Sequence, residues 1–307
     1  MNTLWKGVAH ALAADEGELA LTWGDGIGDN LLLSAVAHEW KIRTGKKAAI
    51  YTKFPELFEE NLEVVCYPYL GNLVFPFRSW MTRRIHFPVY APWDPKEDSS
   101  VPPDKHIIAK MCEFVGLRGT VGLRPYFPLS TGEMGSDPGY RNAILIQTSV
   151  FSARLPMKNK EWYFPRFQQI VDVLRQDYQF IQIGSVKDPT LRHVTDLRGK
   201  TTIRQLARLM RESRLFVGLV GFLMHLARAN ECPSVIVYGG REHPHQSGYI
   251  CNENIARYIS CSPCWLWNRC DYNRRCMSDI MAHEVIEACR RQLQAHSRPL
   301  PVEECLL

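Results

Sequence analysis

The chain has 307 residues, of which 46% are hydrophobic and 22% charged, and a formal net charge of +5. At ~150 residues per domain this suggests about two domains with the composition of an ordinary globular protein. The small positive charge permits weak contact with an anionic lipid surface or with phosphate-bearing substrates, but it argues against a nucleic-acid partner. No stretch reaches the ~18–20 apolar residues that a membrane span requires.

Residues 7–14 are short, weakly apolar and interrupted by His10, with only Lys6 as a preceding charge. A secretory signal needs a longer apolar centre. The segment is therefore expected to be a leading helix or loose arm, and the protein cytoplasmic. The ten cysteines are then thiols or metal ligands rather than a disulfide framework.

Residues 18–23 read as a first strand and 30–43 as a helix. Between them lie Gly24, Gly26 and Gly28 with two acids, Asp25 and Asp29. An apolar run that breaks at glycines and resumes at helical spacing is a strand, a tight turn and a helix start. Glycine allows unusual backbone angles and close approach of a ligand. The turn is not a dinucleotide fingerprint: Gly24-x-Gly26 is followed three places on by Asp29, and Gly26-x-Gly28 by Leu31. Nor does Gly-Lys-Ser/Thr follow, which excludes a P-loop. Asp29 is either a functional acid or an ordinary helix N-cap.

Residues 47–51 read as a second strand, 55–61 as a short helix and 64–66 as a third strand, an alternation that implies a parallel sheet. From Tyr67 to Pro103 the pattern dissolves into prolines and aromatics, with Arg78, Arg83 and Arg84 among them. So long an irregular stretch is either a functional loop or loosely ordered surface. Residues 106–115 read as a helix ending at Gly116. Residues 129–140 are rich in Gly, Ser and Pro and form the best boundary. This divides the chain into an N-terminal Rossmann-like domain at 1–132 and a C-terminal one at 141–296.

The second half restarts the alternation, with strands at 143–147, 180–184, 215–218 and 234–238 and helices at 164–176, 203–213, 223–229 and 285–294. Two doubly wound halves place a ligand between strand C-terminal ends. His243-x-His245, after Gly239-Gly240, either lines that site or sits in a polar loop. The tail beyond His296 is expected to be disordered or superficial.

Cys261-x-x-Cys264 is followed by Cys270 and Cys276, each after five intervening residues. Four thiolates so spaced suit one tetrahedral metal site, a knuckle at 261–276. The alternative is a set of free thiols around a turn. Sulfur ligation does not choose between zinc and iron, and four sulfurs leave no open position for substrate, so the metal's role would be structural.

Several of these motifs together resemble the heptosyltransferase family, glycosyltransferase family 9. They are Gly26-Ile27-Gly28-Asp29-Asn30-Leu31-Leu32, Lys160-Glu161-Trp162, Phe216-Val217-Gly218 through Met224-His225-Leu226-Ala227-Arg228-Ala229, and Pro233-Ser234-Val235-Ile236-Val237-Tyr238-Gly239. The resemblance implies an α/β GT-B fold, two Rossmann-like domains with the site in the cleft. It implies an inverting glycosyltransferase that moves a sugar from a nucleotide diphosphate donor, ADP-heptose first, to an acceptor hydroxyl. Asp29 would be the general base and Lys160 the cation on the donor diphosphate. Gly26, Gly28, Thr148, Gly221, Met224 and His225 would line the donor site. A comparable cysteine cluster in the branch of the family that heptosylates autotransporter adhesins binds iron.

The irregular segment, on the acceptor side of such a fold, is expected to help select the acceptor, which is a glycan, a protein or a small molecule. Lys160 read alone is a surface lysine beside Lys158 and Glu161, and His225 read alone is a packed histidine. No Asp-x-Asp pair occurs, so a metal-bridged diphosphate is not favoured. The chain departs from the family pattern before His225, where Val220, Gly221 and Phe222 stand in place of an acid, a small hydroxyl residue and a glycine. That departure keeps open a catalytically inactive module that binds a nucleotide sugar or a protein. An unrelated nucleotide-dependent enzyme of similar layout is a third reading.

Overall fold

The computed structural model describes residues 6–10, 18–71, 85–134, 140–295 and 298–307. Residues 6–10 form a helical turn; the rest of the expected leading segment, and Arg78, Arg83 and Arg84, lie outside the described residues. The first sheet comprises β1 (Ala20–Thr22), β2 (Ala48–Thr52), β3 (Val64–Pro68) and β4 (Ile85–His86) in the order β3-β2-β1-β4, with every pairing parallel. Helix α1 (Ile27–Thr44) joins β1 to β2. Its apolar run from Leu31 to Val36 is buried almost all round, as a helix must be when one side packs on its sheet and the other meets a second domain. Gly45 ends it in the left-handed region, φ 71°.

The irregular stretch after β3 contains more order than its composition suggests. It adds β4 at the sheet edge and a short hairpin of β5 (Trp93–Asp94) and β6 (Ser99–Ser100). Helix α2 (Ile107–Phe114) and β7 (Thr120–Gly122) follow. The expected helix at 55–61 reduces to a 3-10 turn at Pro55–Leu57.

The second sheet has six parallel strands: β8 (Ala143–Ile146), β9 (Gln179–Gln182), β10 (Thr195–Asp196), β11 (Leu215–Leu219), β12 (Ser234–Gly239) and β13 (Glu253–Ala256). Their order is β10-β9-β8-β11-β12-β13, the doubly wound order whose direction reverses between the first and fourth strands. Intervening helices are α3 (Phe164–Leu174), α4 (Ile203–Glu212) and α5 (Phe222–Ala229). They are followed by the short α6 (Pro244–Ser247) and α7 (Arg275–Ser278), and by α8 (Ala282–Gln294). Thr202 caps α4 reciprocally with Gln205, a sequence-encoded helix start. Strands β8 and β11 are wholly buried, which is why they read as continuous apolar runs rather than alternating ones. Among the described residues no helix is long and apolar enough to cross a membrane.

The tail lies mostly on the surface, as one of the two expectations has it, but it is ordered. Its β14 (Glu304–Leu306) pairs antiparallel with β7 in the first half. Leu300 is buried, its N–H donates to the Glu231 carboxylate at 2.6 Å, and Arg228 holds the Pro301 carbonyl at 3.0 Å. Paired backbone and buried apolar surface order a segment that has no periodicity of its own.

Candidate active site

Each sheet reverses its strand order once, and the residues of interest follow the strands at those two points. In the first sheet β1 and β4 are neighbours; the turn after β1 carries Asp29, and the chain after β4 carries Tyr90. In the second, β8 and β11 are neighbours; the loop after β8 carries Thr148 and Lys160, and the turn after β11 carries Gly221.

Helix α1 begins earlier than its sequence suggests. Gly26 is the N-cap and makes no side-chain cap, while Asp29 lies within the first helical turn. Asp29 is therefore not the N-cap. Its carboxylate instead accepts the Tyr90 hydroxyl at 2.6 Å. The two glycines also differ in what surrounds them. A β-carbon at Gly26 would collide with the Asp29 carboxylate, and one at Gly28 would stand 3.4 Å from the Phe222 backbone. Gly26 makes room for the acid, while Gly28 lies where the start of α1 meets the start of α5. Asn30 ties the turn down by donating to the Gly26 carbonyl at 2.8 Å and accepting the Thr52 hydroxyl at 2.8 Å. Asp25, the other acid, bridges Lys53 at 2.5 Å and Arg154 of the second half at 2.6 Å.

Lys160 ends a 3-10 turn, Lys158–Lys160. Trp162 is buried there and donates to the Ile280 carbonyl at 3.0 Å, while Glu161 accepts the Val150 N–H at 2.7 Å. These two contacts explain the Lys-Glu-Trp spacing: the outer residues of the turn are anchored and the lysine points inward. Its ammonium meets the Glu242 carboxylate at 2.6 Å with only 15% of the side chain exposed, so it is not a solvated surface lysine. Arg241 meets the same Glu242 oxygen at 3.0 Å.

Lys160, Glu242 and Arg241 thus form one row of alternating charge, and Asp29 lies near enough to feel all three. Burial pushes the Asp29 carboxyl above its ordinary range, while the Tyr90 hydrogen bond and the charges of Lys160 and Arg241 pull it back. Burial lowers the Lys160 ammonium against the pull of Glu242. Burial also opposes the charge of Glu242, but Lys160 and Arg241 overcome it and hold the carboxyl down at about 2. Glu242 is therefore ionised at neutral pH, and Asp29 is an acid whose proton affinity has been raised, the direction that suits a general base.

The other sequence-derived candidates fall into two groups. Gly221 caps α5 and presents that helix's unpaired N–H groups near Gly28. His225 is buried, pairs with the Tyr249 hydroxyl at 2.6 Å and is pushed down to about 3 by burial and by His106. It is a neutral ring at physiological pH. Met224 and Thr148 point into the protein: the Met224 sulfur accepts the Tyr238 hydroxyl at 3.2 Å, and the Thr148 hydroxyl donates to the Pro189 carbonyl at 3.2 Å. His243 pairs with the Ser262 hydroxyl at 2.7 Å, tying its loop to the cysteine segment. Val220 is buried at the end of β11. Glu242, Arg241 and Tyr90 were not singled out from sequence. The available signal for Glu242 was an acid just beyond Gly239-Gly240 at the C-terminal end of a buried strand.

All ten cysteines are free thiols. Cys261, Cys264, Cys270 and Cys276 line one small cavity of about 50 Å³. A β-carbon at Gly240 would stand 2.7 Å from that of Cys276, so the glycine is what admits this wall. Among the described residues no three His, Cys, Asp or Glu side chains converge closely enough to hold a metal ion. The donor set and the cavity suit a thiolate-bound metal; the separation of the sulfurs would have to close around it.

Residues 143–267 match the family model of glycosyltransferase family 9 (heptosyltransferase). The second half is thus similar to a glycosyltransferase family 9 domain. Most of the chain shares its fold with solved structures. The glycosyl transferase family 9 protein of Veillonella parvula superposes with a TM-score of 0.66 at 14% identity, covering 92% of this chain and 98% of that one. The ADP-heptose LPS heptosyltransferase II of E. coli gives 0.64 at 15%, covering 90% and 98%. The iron-containing dodecameric glycosyltransferase TibC of enterotoxigenic E. coli gives 0.68 at 15%, covering 89% and 75%. No curated protein sequence matches the chain. The architecture is the GT-B fold of these structures.

Proposed function

We propose that the chain is an inverting glycosyltransferase that moves a sugar from a nucleotide diphosphate donor to an acceptor hydroxyl, with Asp29 as general base. The observation that carries this reading is the buried row Lys160–Glu242–Arg241 with, within reach of its charges, the Asp29 carboxyl of raised proton affinity. Asp29 takes the acceptor proton as that oxygen attacks the anomeric carbon. A single displacement from the face opposite the leaving group inverts the centre. Charge developing on the departing diphosphate is met by Lys160 and by the N–H groups at the start of α5. Tyr90 holds the Asp29 carboxylate in place.

ADP-heptose is the first donor candidate, supported by the family match and by the shared fold with an ADP-heptose LPS heptosyltransferase. Val220 in place of the family's acid points to a donor contact that differs in detail. A thermal-shift screen of nucleotide sugars tests donor binding directly. A ligand at 100 times its Kd stabilises by about 2.7 kcal/mol, so one nucleotide sugar should raise the melting temperature selectively. Binding without turnover would instead favour an inactive nucleotide-sugar module, and no shift with any of them would overturn the reading. The acceptor is a glycan, a protein or a small molecule, met from the cytoplasm with at most weak peripheral contact to a membrane. Changing Arg78, Arg83 and Arg84 together to glutamine is expected to weaken acceptor binding and spare donor binding. Equal loss of both would point to misfolding.

We also propose that Cys261, Cys264, Cys270 and Cys276 hold one iron or zinc ion in a structural role, by the chemistry of the donor set and the shared cavity. Freshly purified protein should carry close to one metal per chain. Changing Cys264 and Cys270 to serine should remove it and lower the melting temperature. A metal-free native protein, with stability unchanged in the double variant, would contradict this.

A further inference from the structure

The segment that carries the four cysteines reaches the charged row by three separate routes. One runs to Arg241: the Trp265 N–H donates to the Arg241 carbonyl at 2.8 Å, and the Arg241 guanidinium lies 4.7 Å from the centre of the Trp265 ring. A second runs to the turn of Lys160, where the Asn159 side chain donates to the carbonyls of Leu266 at 3.1 Å and Arg269 at 2.9 Å. The third crosses to the first half. The Ser100 N–H donates to the Trp265 carbonyl at 3.0 Å, and the Asp98 carboxylate accepts the N–H groups of Asn268 and Arg269 at 2.8 Å each. Asp98 and Ser100 belong to the hairpin that follows Tyr90.

Two local features single out Trp265 within this segment. It is 2% exposed and holds φ 51°, the left-handed region, which a bulky side chain rarely adopts. Such a conformation persists only where the surroundings over-determine it, and such places cluster at functional sites. Opposite it, the Arg241 Nε is buried without a hydrogen-bond partner. That guanidinium is held by a ring face and by Glu242, not by a full set of hydrogen bonds. A desolvated guanidinium over an aromatic face is attracted by about 0.5–2 kcal/mol, which here adds to the Glu242 ion pair and the more distant Trp267 ring, 5.9 Å away, in restraining one end of the row.

We infer that Trp265 is a positioning residue for the transfer reaction. It fixes Arg241, whose guanidinium shares the Glu242 carboxylate with Lys160, and so sets where the Lys160 ammonium stands. The inference rests on the proposed function and assigns to the cysteine segment a task beyond holding itself together: it registers the charged row of the second half against the Tyr90 arm of the first.

Two substitutions separate positioning from plain packing. Trp265→Phe and Trp265→Leu both lose the indole hydrogen bond to Gln246, 3.0 Å long, and both lose core volume, so both should melt lower. Only leucine removes the nearer ring face from Arg241, leaving Trp267 at 5.9 Å. The expected result is kcat within about threefold of the parent for phenylalanine and a loss of about 10–30-fold for leucine, the upper range of a desolvated cation–π contact. Donor KM should change far less than kcat in either. Amide hydrogen exchange gives a readout that needs no turnover: residues 158–161 should lose protection in Trp265→Leu and keep it in Trp265→Phe. Equal kcat and equal protection in the two variants would overturn the inference. If the parent transferred no sugar, the proposed function would fall, and the exchange comparison would still decide whether Trp265 controls the Lys160 turn.

Discussion

Asp29→Asn is expected to lower kcat by about 10²–10⁴-fold, the range for loss of a positioned general base, while the protein keeps its fold. Asparagine has the shape of the acid and can still accept the Tyr90 hydroxyl, but it cannot take a proton. Stability should not suffer. Burial raises the Asp29 carboxyl, so the folded state binds this proton more tightly than the unfolded chain does. Ionisation of Asp29 at neutral pH therefore costs stability, and the neutral amide should melt at or above the parent temperature. The same shift sets a pH dependence in the parent. The base works only when ionised, so kcat should fall as pH drops through the Asp29 pKa, and the fall should begin above the pH expected of an ordinary aspartate. Steady-state kinetics across pH, beside melting curves for both proteins, check all three points. If the variant keeps near-normal turnover, Asp25 becomes the next candidate, although its bridges to Lys53 and Arg154 already occupy it.

Lys160→Ala is expected to reduce kcat on the order of 10²-fold, as loss of one stabiliser of developing negative charge does, and to raise donor KM as well. A cation that matters more in the transition state than in the ground state acts on both parameters. The substitution also leaves Glu242 buried with Arg241 as its remaining charged partner. Breaking a buried pair costs more than removing both of its members, so the single variant should melt lower than the parent. The double variant Lys160→Ala with Glu242→Gln should regain none of the activity and little of the stability, because it leaves the buried Arg241 guanidinium without its charged partner. Unchanged kcat and KM in Lys160→Ala would reduce the lysine to a structural ion pair.

How far the sequence reveals this arrangement depends on whether a feature is local. The alternation of buried strands with amphipathic helices is written in short runs such as 143–147 and 164–176, and the parallel sheets follow from it. The glycine–acid turn is also local, which is why Asp29 stands out. Its surroundings are not. Tyr90 is distant in sequence and sits in a stretch whose prolines and aromatics carry no period. Glu242 and Arg241 look like an ordinary polar loop until the fold closes Lys160 and Trp265 onto them. The tail strand at Glu304–Leu306 has the same origin: it is ordered by β7, far away along the chain, not by its own residues. The roles of Gly26 and Gly28 show the limit in miniature. Sequence shows glycine at both places; only packing says that Gly26 clears the Asp29 carboxylate, whereas a β-carbon at Gly28 would meet Phe222 at ordinary contact distance.

The measurement that bears most directly on the central claim is a transfer assay followed by NMR at the anomeric carbon, run on the parent and on Asp29→Asn with ADP-heptose and a panel of acceptors. The account predicts release of ADP in step with a product whose anomeric configuration is inverted, and near-complete loss of both in the variant. A product of retained configuration, or equal turnover by the two proteins, would contradict it.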